Sequence, residues 1–125
     1  MSKPRNLRVA LVQERNQPSV EENMALIERR VANAAARGAQ LVLLQELHNG
    51  AYFCQHQDVC EFDSAEAIPG QSTERIGALA RKHGVVIVSS LFERRAAGLY
   101  HNTAVVLEKD GSIAGKYRKM HIPDD

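Results

Sequence analysis

Charge of one sign, long apolar runs and cysteine are all scarce in this chain of 125 residues. Sixteen Lys+Arg stand against fifteen Asp+Glu, a formal net charge of +1, so no global field draws the protein to nucleic acid or to an anionic membrane. The longest unbroken apolar runs, residues 41–44 and 85–88 among them, are four residues long and fall far short of the ~18 residues that a membrane span needs, and no membrane partner is expected. The basic first eight residues lead into an alternating pattern broken by Gln13, Glu14 and Arg15, not into the apolar core of a signal peptide. The expected compartment is the cytoplasm. There Cys54 and Cys60 stay reduced, and their spacing matches no common zinc-ligand pattern. His48, His56, His83, His101 and His121 show no helix-borne metal spacing, and neither a glycine-rich phosphate loop nor a G-x-S-x-G turn is present. Neither a metal nor a cofactor is expected.

What is present suits one folded unit. A hydrophobic fraction of 44% with 25% charged residues is too apolar for a disordered tail, and a chain of this length buries roughly two thirds of its unfolded surface without a staple.

The order of elements predicts an α/β fold. Leu7, Val9 and Leu11 alternate with Arg8, Ala10 and Val12, which reads as a strand buried strongly on one face. Ser19 and Glu22 have the spacing of a capping box, with the hydroxyl on a backbone N–H and the carboxylate reaching back. Val20, Met24, Ile27, Val31 and Ala34 or Ala35 then share a helical stripe, which Gly38 is placed to end. Residues 41–44 read as a strand covered on both faces. Residues 48–70 lack a period and are expected to be an ordered loop anchored by Tyr52, Phe53 and Phe62. A second helix is predicted over 72–83, with Ile76, Leu79 and Ala80 inward and Gly84 as its stop. A strand over 85–91 follows, then an antiparallel pair, 103–107 and 113–119, joined through Lys109, Asp110 and Gly111. Together these imply a mixed sheet with helices on at least one face. Residues 121–125 look like the start of a loop, which suggests a continuation.

Two residues invite chemistry. Glu46 directly follows the run 41–44, so it sits at the carboxyl end of a strand, where open α/β sheets place ligands. A partly dry setting there favours a general base, although a solvated strand end explains the same position. Strand parity puts Ile113, Tyr117 and Lys119 on one face, with Lys116 and Arg118 on the other. If the first set points inward, Lys119 needs an anionic partner, and Glu46 is available. The alternative takes Lys116, Arg118 and Lys119 as a solvated basic edge, with Tyr117 a poor stacking platform for nucleic acid. Cys54 with His48 or His56 is a weak nucleophile arrangement, since a lone thiol beside Tyr52 and Phe53 is more often a small apolar filler.

The segment Leu41-Val-Leu-Leu-Gln-Glu46-Leu resembles the glutamate motif of the nitrilase (carbon-nitrogen hydrolase) superfamily. The segment Lys116-Tyr-Arg-Lys119-Met-His resembles its lysine motif, and the flanks from Glu46 to Gln55 and from His121 to Asp125 are similar to the N-carbamoylputrescine amidase branch. The resemblance runs from Arg8 to Asp125. It implies an α-β-β-α sandwich, of which this chain is the N-terminal half, and a Glu-Lys-Cys triad. In that triad Glu46 takes the thiol proton and later activates water, while Lys119 stabilises the oxyanion. It further implies a small-molecule amide or carbamoyl amide as substrate, no cofactor, and a homo-oligomer. The family's cysteine follows the lysine motif on a later strand, a place that neither Cys54 nor Cys60 matches, and a further family glutamate lies in that same interval. The 125 residues are therefore expected to hold the base and the lysine without the nucleophile, to be inactive alone, and to leave one sheet face as exposed apolar surface. A carbamoylated diamine carries an ammonium, for which Glu61, Asp63 and Glu66 are candidate partners or simply solvated loop carboxylates. A regulatory module of the same fold, or another amidase of the superfamily, remains the alternative.

Overall fold

A computed structural model describes residues 5–46, 48 and 65–120. The chain runs β1 (Val9–Leu11), α1 (Val20–Ala36), β2 (Leu41–Leu43), α2 (Gln71–His83), β3 (Val86–Ala96), β4 (Leu99–Leu107) and β5 (Ile113–Arg118). The strands form one sheet in sequence order, with β1, β2 and β3 parallel and β3, β4 and β5 antiparallel. This is the mixed α/β sheet with two helices that the pattern predicts.

Local chemistry sets the helix ends. Ser19 is the N-cap of α1, and its Oγ accepts the Glu22 N–H at 3.1 Å, an interaction worth about 1 kcal/mol. The second half of the expected box differs, because the Glu22 carboxylate accepts from the Ser19 hydroxyl at 3.1 Å rather than from its backbone. At the other end Gly38, at φ 90°, donates to the Ala35 carbonyl while Ala39 donates to that of Ala34. This is a Schellman closure, which needs the left-handed conformation glycine adopts without penalty.

Both helices cover the same side of the sheet. Met24, Ile27 and Val31 of α1 and Ile76, Leu79 and Ala80 of α2 form one core with Val42, Ile87, Val105 and Leu107; burial of each large aliphatic side chain stabilises the fold by about 2 kcal/mol. Gly77 of α2 touches the β4–β5 turn so closely that a Cβ there would lie 2.6 Å from the Gly111 carbonyl oxygen. That approach seats the hairpin on the helix.

The opposite side is open among the described residues, the exposed apolar face expected above, while expectations for individual strands fail. Leu11, Leu43, Val88 and Val106 lie in register across the sheet, yet Leu11 is 66% and Leu43 40% exposed. β1 is covered on one face, as its alternation predicts, and that face is the one of Ala10 and Val12. Likewise β2 is covered on one face only. Ile113 and Tyr117 do not share a side, because the bulge between the Val106–Gly115 and Leu107–Ile113 pairs resets the parity: Ile113 stands beside buried Leu107, whereas Tyr117 stands beside Ala104 on the open side and is 64% exposed. Apolar character marked which residues group together; the helices occupy only one side of that grouping. Val20 is also exposed, one turn before the buried stripe begins. β3 runs five residues past its predicted end because Phe92, Glu93 and Arg94 pair with β4.

Candidate active site

Glu46 is held by its neighbours at the carboxyl ends of the parallel strands. The Leu44 N–H donates to Val88 O at 3.0 Å, continuing the β2 ladder. The Gln45 side chain accepts the Glu14 N–H at 2.9 Å and donates to Asn16 Oδ1 at 3.0 Å, tying β2 to the segment after β1. Glu46 thus emerges from an anchored backbone, as expected for a ligand-binding sheet end.

Lys119 arrives from the other end of the sheet. Its N–H donates to the Asn102 carbonyl at 2.8 Å, one step beyond the Thr103–Arg118 pair. Its ammonium Nζ donates to Glu46 Oε1 at 3.0 Å, across 73 residues of chain. The two sequence candidates therefore meet. Their setting is wetter than expected, with the Glu46 side chain 48% and Lys119 35% exposed, because nothing among the described residues covers this side of the sheet.

A third residue completes the cluster. Asn102 of β4, 3% exposed, donates from Nδ2 to the same Glu46 Oε1 at 2.6 Å. Sequence reasoning missed it. Parity alone places Asn102 opposite in face to the buried Thr103 and Val105, but its meeting with Lys119 depends on the β4–β5 register, which shifts by a bulge at Val106/Leu107.

Arg118 goes the other way. Its Nε and Nη2 donate to Glu93 Oε1 and Oε2 at 2.8 and 3.0 Å, Thr103 Oγ1 donates to Glu93 Oε1 at 2.9 Å, and Lys116 Nζ stands 4.0 Å from Oε2. These bonds, Arg118 first, hold the Glu93 carboxyl below its ordinary value against burial. The solvated basic edge is thereby corrected for Arg118, whose guanidinium serves a buried carboxylate. Burial pushes Glu14 the other way, above its ordinary value, with Arg30 at 3.4 Å partly offsetting it.

The remaining candidates divide. His48 is buried and hydrogen-bonds Ser89 Oγ at 2.6 Å, so it is part of the interior. Glu66 accepts from the Ser72 N–H at 2.9 Å and from its hydroxyl, which commits that carboxylate to the start of α2. Cys54, Cys60, His56, Glu61, Asp63 and His121 lie outside the described residues. Among the described residues no group of three or more His, Cys, Asp or Glu is arranged to hold a metal, and no helix is long and apolar enough to cross a membrane.

A family model described as "Carbon-nitrogen hydrolase" matches residues 8–125. The chain belongs to the carbon-nitrogen hydrolase family. Within it, the chain is similar to N-carbamoylputrescine amidase of Solanum lycopersicum, 42% identical over 123 residues, covering 98% of this chain and 41% of the relative. It is also similar to citrullinase of Francisella tularensis subsp. tularensis, 38% identical over 120 residues, covering 95% and 42%. The crystal structure of a carbon-nitrogen hydrolase from Helicobacter pylori G27 matches with a TM-score of 0.89 at 43% identity, covering 94% of this chain and 41% of that one. The chain thus spans about two fifths of the length of the curated relatives it matches. The carbon-nitrogen hydrolase fold accounts for the mixed sheet with both helices on one side.

Proposed function

We propose that Glu46 and Lys119 are the general base and the oxyanion-stabilising ammonium of an amidase acting on a terminal ureido group, N-carbamoylputrescine first among its substrates. The single observation that carries this reading is the 3.0 Å contact between Lys119 Nζ and Glu46 Oε1, made across 73 residues on the open side of the sheet. The substrate class rests on chemistry shared by two relatives' names: N-carbamoylputrescine and citrulline both end in –NH–CO–NH2.

On this reading the chain supplies the N-terminal part of one carbon-nitrogen hydrolase domain, and a cysteine thiol comes from the rest of that domain. Glu46 accepts the thiol proton, and the sulfur bonds to the ureido carbon. Lys119 then faces the oxygen that becomes negative; one well-placed donor of this kind is worth about 3 kcal/mol. The C–N bond to the terminal nitrogen breaks, and Glu46 returns the proton to the departing ammonia. Water, deprotonated by Glu46, cleaves the thioester-like intermediate, releasing a carbamate that falls to putrescine and carbon dioxide. The enzyme works without a cofactor, in the cytoplasm, as a homo-oligomer supplying putrescine to polyamine synthesis, an assignment supported by the family resemblance.

Ammonia release from N-carbamoylputrescine, citrulline and butyramide tests the proposal in the enzyme with its complete domain. Turnover of the ureido compounds above butyramide is expected, with Glu46→Gln and Lys119→Ala each lowering kcat by about 100- to 1,000-fold. The 125-residue chain alone should release none. Full activity in both variants overturns the residue roles, and preference for butyramide overturns the substrate class.

A further inference from the structure

We infer that Asn102 is a positioning residue that turns the Glu46 carboxylate so that one of its oxygens is kept for proton transfer; this rests on the functional reading above. A carboxylate has two oxygens, and the donors are not shared between them. Asn102 Nδ2 at 2.6 Å and Lys119 Nζ at 3.0 Å both donate to Oε1. Among the described residues none donates to Oε2. A base needs a lone pair that is not already engaged, and loading both donors onto one oxygen leaves the other for the incoming proton.

The amide is built to hold that arrangement. Asn102 is 3% exposed, so its rotamer is fixed by packing, whereas the half-exposed Glu46 has room to turn into water. The Ser90 hydroxyl lies 3.4 Å from Asn102 Oδ1, which directs Nδ2 towards Glu46. The main-chain carbonyl of the same residue accepts the Lys119 N–H at 2.8 Å. One residue of β4 therefore sets the carboxylate through its side chain and the lysine backbone through its peptide. Only the first function is lost on side-chain substitution, because the carbonyl stays in place. That separation makes the two roles distinguishable.

In the enzyme with its complete domain, Asn102→Ala and Asn102→Asp should each lower kcat by on the order of 100-fold, the loss that a misplaced catalytic group brings, with KM changed by less than about threefold. Asn102→Asp keeps the volume and sets a like charge against Glu46, so the two variants guard against a packing artefact. Introduced into Glu46→Gln, Asn102→Ala should add no further loss, because its effect passes through that carboxylate. A readout independent of turnover is the crystal structure of Asn102→Ala, in which the Glu46 carboxylate is expected to leave Lys119 Nζ. An unchanged Glu46 rotamer, wild-type kcat, or a loss that multiplies with Glu46→Gln overturns the positioning role. A wild-type enzyme inactive on every amide instead overturns the functional reading, while the crystal structure still decides Asn102.

Discussion

Arg118 and Lys119 are consecutive, carry the same charge and each meet a glutamate, yet they build different things on opposite sides of one sheet. Arg118 forks onto both oxygens of Glu93, a side chain 2% exposed on the same face of β3 as the core residue Ile87. Lys119 touches one oxygen of Glu46 on the open side, with both partners partly in water. The planar guanidinium suits a fixed two-point contact, while an ammonium on a flexible stem is a point charge that can serve an oxygen formed during a reaction. The first pair holds β5 against β3 and β4; the second ties the residue after β5 to the carboxyl end of β2. The period-two alternation of a strand is what allows a covered and an open pair to stand side by side.

The comparison breaks most readily at Glu93. Replacing it by alanine leaves Arg118 and the buried Thr103 hydroxyl without their acceptor, and loss of one partner of a buried pair costs about 3 kcal/mol, the low end of the range because Arg118 is itself 28% exposed. Chemical denaturation should show that loss, and β5 should gain hydrogen exchange ahead of β1 and β2. Loss under about 0.5 kcal/mol, the scale of an ordinary surface change, would mean that the covered pair is no more structural than the open one.

Much of this division was legible in the residues, and the limits have physical causes. The apolar stripes of α1 and α2, their glycine stops and the Asp110-Gly111 turn depend on local chemistry, and they fall where spacing puts them. Parity correctly separated Lys119 from Lys116 and Arg118. It was silent on which side faces the helices, since Leu11 and Leu43 are as apolar as Val42 and Ile87. Glu93 was unreadable as a core residue because its partner lies 25 residues away on a strand two places along the sheet. Asn102 was hidden for the same reason: its role depends on a register that a bulge resets.

Acid sharpens the comparison by a smaller amount. The folded Glu93 carboxyl lies below its ordinary value, chiefly through Arg118. Its contribution is therefore complete above the ordinary carboxylate value and is lost as pH falls through the lower folded one. Glu14 has the opposite sign. Its folded value is raised by burial, so its contribution is present at low pH and disappears as pH rises through that raised value. Stability measured from about pH 7 down to about pH 3 should fall on the acid side, and Glu93→Gln should flatten that fall. The effect is smaller than that of Glu93→Ala because a protonated carboxyl still accepts from Arg118 and Thr103. An acid limb unchanged in Glu93→Gln assigns it to other carboxylates.

The smallest effect belongs to the open pair. A double-mutant cycle on stability between Lys119→Ala and Glu46→Gln should give a coupling of about 0–1 kcal/mol, as exposed pairs do, and added salt should erase most of it. The Arg118–Glu93 coupling should survive the same salt, since both its carboxylate oxygens are shielded from ions. A coupling at Lys119–Glu46 as large and as salt-resistant as that of the covered pair would show that it is held for the fold's sake. A small one leaves the meeting of two chain-distant charges on the open side without a structural purpose, and chemistry is then the reason they are brought together.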